Sequence, residues 1–123
     1  MIKEAAARDS LEALCRQLTW DQLTAWSSRR TVAQGRSIQY KRAVSDLRIV
    51  DEGAGLLAWV DVEEPFAVLL EMEEGRLLSQ CTCNPLVAPC EHAVAAIIEY
   101  ILYLKHAAPV PGAPNNDPRF YLI

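Results

Sequence analysis

The chain has 123 residues, of which 51% are hydrophobic, enough for the core of one small domain. No apolar stretch reaches the roughly 18 to 20 residues that a membrane-spanning helix needs, so no membrane role is expected. The net charge of −4 conceals an uneven distribution: residues 1–50 are basic overall, residues 51–80 strongly acidic, and the remainder nearly neutral.

Ser10 is placed to cap a first helix carrying Leu11, Leu14, Cys15 and Leu18 on one face. Thr19 and Gln22 form a capping-box pattern ahead of a second short helix, with Leu23 and Trp26 inward. Ser28 opens a third, with Val32 and Tyr40 expected on its buried side. Val44 to Val50 is rich in branched residues and reads as a strand, and Gly53 and Gly55 mark a turn. Leu56, Ala58, Val60 and Val62 alternate with Leu57, Trp59 and Asp61 in a second strand. Glu63-Glu64-Pro65 connects it to a returning run from Phe66 to Met72. Glu73-Glu74-Gly75 turns into Arg76 to Gln80. The acids of this meander belong to its turns and exposed face, where charge discourages pairing between sheets.

From about Glu91 to His106 the pattern is helical and apolar on nearly every side. Such a helix is either buried between layers or leaves a stripe for a partner. Ala107 to Asn116 reads as a linker or tail, and Pro118 to Ile123 is apolar enough to dock. The expected fold class is α+β: N-terminal helices (10–42), an antiparallel meander of about four strands (44–80), and a metal-bound hairpin leading into a C-terminal apolar helix (81–106). Residues 1–106 form a single module, followed by the tail 107–123.

The chemistry is concentrated between those last two elements. Cys81, Cys83, Cys90 and His92 fall within twelve residues. Three thiolates and an imidazole fill the tetrahedral shell of one zinc ion and leave no position for a reactive water. Cysteines one residue apart project to the same side of an extended segment. On a helix the same spacing would part them by about 200°. Cys90 therefore belongs just before the apolar helix and His92 in its first turn, where the helix dipole favours thiolates and Glu91. A disulfide and free redox-active thiols are the other readings of such a cluster. Met1 to Arg8 has no apolar signal-peptide core, so a reducing compartment is expected, cytoplasmic or nuclear, where clustered cysteines more often bind metal. Cys15 reads as an ordinary buried residue.

Cys-x-Cys, a short loop, and Cys-x-His before an apolar helix resembles the SWIM zinc finger family. Pro85 fits the proline which that family carries after the second cysteine. Gly35-Arg36-Ser37-Ile38-Gln39-Tyr40 with Val44 resembles its glycine-arginine-tyrosine segment, and Val60 to Val68 its central hairpin. The likeness covers roughly residues 30 to 105. It departs at Glu91, where the family often has a basic residue, and at Arg42-Ala43, where it often has glycine. The resemblance implies a zinc module found beside helicase-like ATPases, in transposases and in recombination mediators, and thought to bind protein or DNA.

No catalytic constellation appears. There is no glycine-rich phosphate loop, and no His-x-Glu accompanies Pro89-Cys90, so neither an enzyme nor a small-molecule substrate is expected. Two functions remain: protein interaction within a DNA-processing assembly, or direct non-specific DNA binding. The second would use the basic stretch Arg29, Arg30, Arg36, Lys41, Arg42 and Arg48 against phosphates. The residues around the metal loop, Thr82 and Asn84 to Ala88, carry no Lys or Arg, which favours the first. Oligomeric state is left open.

Overall fold

The structure, a computed structural model, describes residues 10–83 and 88–123. Three short helices come first. In α1 (Leu11–Gln17) the Ser10 hydroxyl accepts from the Ala13 N–H, and Leu11 and Cys15 are buried. In α2 (Trp20–Trp26) the predicted capping box is present, with Thr19 and Gln22 bonded reciprocally at 3.1 and 2.9 Å. Ser28 caps α3 (Arg29–Tyr40), accepting from the Thr31 N–H.

Val32 of α3 is buried as expected, but Tyr40 is not: it is 86% exposed. Eight residues beyond Val32 the helix has turned about 80° off the buried face. Gln39 lies nearer that face, and its amide donates to the Glu99 carboxylate at 2.9 Å. The buried position is instead Gly35, where a Cβ would come within 2.5 Å of Val94 Cγ1. Lack of a side chain there lets α3 lie close against the long C-terminal helix.

The sheet is an antiparallel meander in the order β1 (Val44–Val50), β2 (Gly55–Val62), β3 (Glu64–Glu73), β4 (Arg76–Cys81). Glu74 and Gly75 join β3 to β4 with φ of 52° and 77°. Two successive positive φ values suit the right-handed twist of a tight hairpin. Leu56, Ala58 and Val60 on β2, with Val68, Leu70 and Met72 on β3, belong to the main core. Against them packs α4 (Glu91–Lys105), which touches the sheet on one side and α1 and α3 on the other. The apolar helix is thus a middle layer. Ala93 to Ile98 and Tyr100 are buried, while Ile101 to Leu104 are half-buried. None of the helices among the described residues is long and apolar enough to cross a membrane.

Among the acids of the meander, Asp51, Glu52, Glu63 and Glu74 lie exposed between strands, and Asp61, Glu64 and Glu73 lie exposed on them. Glu71 is half-buried, and a hydrogen bond to Asp51, reinforced by desolvation and by the charges of Asp51 and Glu73, pushes its carboxyl up to about 7.

The segment read as a linker or tail lies along β1. The Ile49 N–H donates to Pro111 at 2.8 Å, and Ala113 donates back to Ile49 at 2.9 Å. The chain ends in a single turn, α5 (Arg119–Leu122), which contacts β3. The docking expected of its apolar side chains is corrected here: Phe120, Tyr121 and Leu122 are 42%, 80% and 56% exposed. The residue that docks is Arg119, fully buried. Its guanidinium donates twice to Asp117, at 2.9 and 2.7 Å, and also to the carbonyl and carboxylate of Asp46. It lies 5.6 Å from the centre of the Trp59 ring. A buried cation needs such partners, because losing water costs several kcal/mol on the order of the pairing it gains. The Arg119 guanidinium in turn holds the Asp117 carboxyl below the usual carboxylate range.

Candidate metal centre

Cys81 is the last residue of β4, opposite Val68 on β3. Thr82 fixes the next step of the chain. Its N–H donates to the Ala67 carbonyl at 3.1 Å, and its hydroxyl accepts from the Ala67 N–H at 3.0 Å. Thr82 is thus held against β3, with Cys81 at the strand's end and Cys83 in the bend that follows it. Pro89 leads to Cys90, which takes the N-cap position of α4 with extended backbone (φ −98°, ψ 175°). His92 then falls in the first helical turn. Cys90 and His92 are 4% and 6% exposed.

The structure brings together all four residues singled out as metal ligands. One ligand atom from each of Cys81, Cys83, Cys90 and His92 lies within 4.8 Å of the others. His92 Nδ1 is 3.7 Å from both the Cys81 and the Cys90 sulfur. A tetrahedral zinc with Zn–S of about 2.3 Å and Zn–N of about 2.0 Å has S···N edges of roughly 3.5 Å. The cluster is therefore close to the size of the ion's shell, and its soft donor set fits zinc. No disulfide links these cysteines.

Two further side chains, neither of them read as a ligand, complete the surroundings. With Nδ1 directed at the sulfurs, the other imidazole nitrogen faces outward, and Nε2 lies 4.0 Å from a Glu91 carboxylate oxygen. At 4.0 Å the pair is too long for a hydrogen bond, so Glu91 places its carboxylate beside the ring without fixing it. Phe66, on β3, covers the ring at a centroid distance of 4.4 Å. Only the spacing of Glu91 beside His92 could have suggested the first. Phe66 reaches the site through strand pairing, which leaves no local mark in the sequence. Among the sulfurs, Cys81 hydrogen-bonds to Cys90. That contact draws the Cys90 thiol down to about 4 against the opposing effect of burial, and it drives the Cys81 thiol up. Cys15 lies apart in α1, where burial pushes its thiol up to about 12. It is a core residue, as read.

The basic residues do not form one cluster. Arg29 and Arg30 are exposed at the start of α3, and Lys41 and Arg42 just past its end, about 18 Å away along a helix of this length. The Arg36 guanidinium lies 4.7 Å over the Trp20 ring. Arg48 is paired with Asp46 at 2.9 Å.

Compared with known proteins, the chain matches no protein-family model, no curated protein and no solved structure. The likeness to the SWIM pattern therefore rests on its own residues, of which Pro85 lies outside the described ones.

Proposed function

We propose that this chain is a non-catalytic, SWIM-type zinc module that mediates protein–protein contact within a DNA-processing assembly. The observation that carries the reading is the closed set of four soft ligands, with every pair within 4.8 Å. Zinc bound there is four-coordinate with protein atoms alone, which makes it structural. It would pin the end of β4 to the start of α4 and so hold the middle helix against the sheet. The assembly comes from the resemblance, since the motif it matches accompanies helicases, transposases and recombination mediators. Protein contact is favoured over direct DNA contact because the cations are spread from the start of α3 into β1, and Arg48 is already paired with Asp46.

The test is co-purification of the zinc-loaded chain from its native cells, with nuclease added to remove bridging DNA. The expected result is recovery of a helicase, transposase or recombinase component that persists after nuclease and is lost in a Cys83→Ser variant. Affinity of the isolated chain for duplex DNA should not exceed the usual non-specific range of about 10⁻⁴ to 10⁻⁶ M. Nuclease-sensitive recovery together with duplex affinity below about 10⁻⁷ M would make DNA recognition the function instead.

A further inference from the structure

Beside the metal centre's helix, but away from the metal, the N-terminal helices do not close over α4. A groove of about 520 Å³ lies between α1, α2, α3 and the C-terminal half of α4. Leu18, Leu23, Ile98, Ile101 and Leu102 give it an apolar lining. Its charged lining residues are Arg16, Arg36 and Lys105, and no carboxylate among the described residues lines it. Glu12 pairs with Arg16 from the neighbouring turn at 3.1 Å. Trp20 stands half-exposed at the rim, held there by the Arg36 guanidinium 4.7 Å over its ring, and Tyr40 is exposed beside it.

We propose that this groove docks an acidic, amphipathic helix of a partner protein. The proposal rests on the protein-interaction reading above and names the surface that serves it. The volume is that of a site for two or three apolar side chains, which a helix presents at i, i+3 or i+4, and i+7. Arg36 and Lys105 are the rim cations without a carboxylate partner, Arg16 being shared with Glu12, and with no lining acid they favour carboxylates on the flanks of that helix over a basic one. Tryptophan, tyrosine and arginine are the residue types that dominate binding energy at such edges. A nucleic-acid backbone would match the cations but would leave the leucine and isoleucine lining without an apolar partner.

The probe is a fluorescein-labelled synthetic peptide of about 14 residues, with Leu at i, i+3, i+4 and i+7 and Glu elsewhere. Its twin carries Lys in place of Glu. Anisotropy titrations use the zinc-loaded full chain. The acidic peptide should bind and weaken as salt rises, and the basic twin should not bind. Arg36→Glu and Leu102→Glu should each weaken binding by about tenfold or more. Trp20→Ala at the rim serves if Leu102→Glu alters the melting curve. Equal binding of the two peptides, or unchanged binding to Arg36→Glu and Trp20→Ala, overturns the proposal. So does groove-dependent binding of labelled duplex DNA tighter than that of the peptide. The same variants separate this proposal from the reading beneath it. If Arg36→Glu still co-purifies with the DNA-processing assembly, the groove is not the docking site and the module remains an interaction module. If nothing co-purifies while the acidic peptide binds through the groove, the assembly falls and the groove stands.

Discussion

The candidate metal centre, once loaded, and the Arg119 clasp would both tie a late segment of the chain to the sheet, by different means. The first joins the end of β4 to the start of α4 through four soft ligands contributed within twelve residues. The second joins the tail to β1 and β2 through a fully buried guanidinium set between Asp117, Asp46 and Trp59. Asp46 lies 73 residues before Arg119 in sequence. Metal ligands make an entropically cheap cluster because they are already neighbours along the chain. An ion-pair clasp has no such restriction, and its parts come together only once the fold exists. The metal centre can therefore be a cause of the local structure around it, whereas the clasp is a consequence of the sheet being in place.

The largest expected effect breaks the first of the two. The unfolded chain holds no preformed site, so metal-binding free energy becomes folding free energy, about 10 to 16 kcal/mol for structural zinc in small fingers at neutral pH. Cys83→Ser or Cys90→Ser, or zinc removal by chelator, should lower the melting temperature by more than about 20 °C or abolish the cooperative transition. Cys15→Ser, a buried thiol outside the cluster, should cost far less. Elemental analysis should give about one zinc per chain, the stoichiometry of a four-ligand site. Equal losses for all three serine variants, or less than about half a zinc per chain, would show that the cluster is not a metal centre.

An intermediate effect comes from the clasp. Arg119→Ala leaves Asp117 buried without its partner and should cost about 3 kcal/mol, read as a drop of roughly 10 °C. The double variant Arg119→Met with Asp117→Asn removes both charges and keeps an apolar side chain over Trp59. It should be more stable than Arg119→Ala alone, because an apolar replacement of a buried pair is often neutral while half a pair is not. Differential scanning fluorimetry on the three proteins decides the matter. A double variant as unstable as the single one would mean that the guanidinium contributes through its packing on Trp59 and not through its pairing.

The same contrast explains what the sequence disclosed. The four ligands, the three helix caps and the strands of the meander are local signals and lie where the pattern places them, except that Gly55, read as turn, opens β2, and Glu64 and Pro65, read as connection, open β3. Helix α4 read as apolar all round because it is a middle layer, with sheet on one side and helices on the other. Tyr40 misled because its aromatic character suggested burial, whereas about 80° of helical rotation carries it to solvent. The tail misled for a different reason. A run of Pro, Ala and Asn looks like a linker because it carries no strand pattern, but β1 bonds to it on both sides of Gly112: Pro111 accepts from Ile49 and Ala113 donates to it. Phe120 to Ile123 looked like the docking residues because they are apolar, and the docking residue is the charged one before them. Asp-x-Arg at 117–119 was the available signal, and without Asp46 and Trp59 beside it in space it carries no message.

The smallest effect sharpens the comparison through pH. Asp117 has its carboxyl held below the ordinary aspartate value by Arg119. A depressed carboxylate contributes stability that is present above its unfolded value and is lost only as pH falls through the lowered folded one. Between pH 8 and pH 5 the clasp should therefore hold unchanged. Zinc ligands must be deprotonated, so metal affinity falls across the same interval. Global melting cannot separate the two, because Glu71 adds a dependence of its own. Its carboxyl, raised from 4.5 to about 7, contributes stability at low pH that is lost as pH rises through that window. The readout has to be local. Amide exchange at Ile49 and Ala113, corrected for intrinsic rate, should show the tail equally protected at pH 7.5 and pH 5.5. Zinc transfer to a chromogenic chelator should be faster at the lower pH. If tail protection falls in step with zinc release, the two cross-links form one cooperative unit, and the clasp depends on the metal centre.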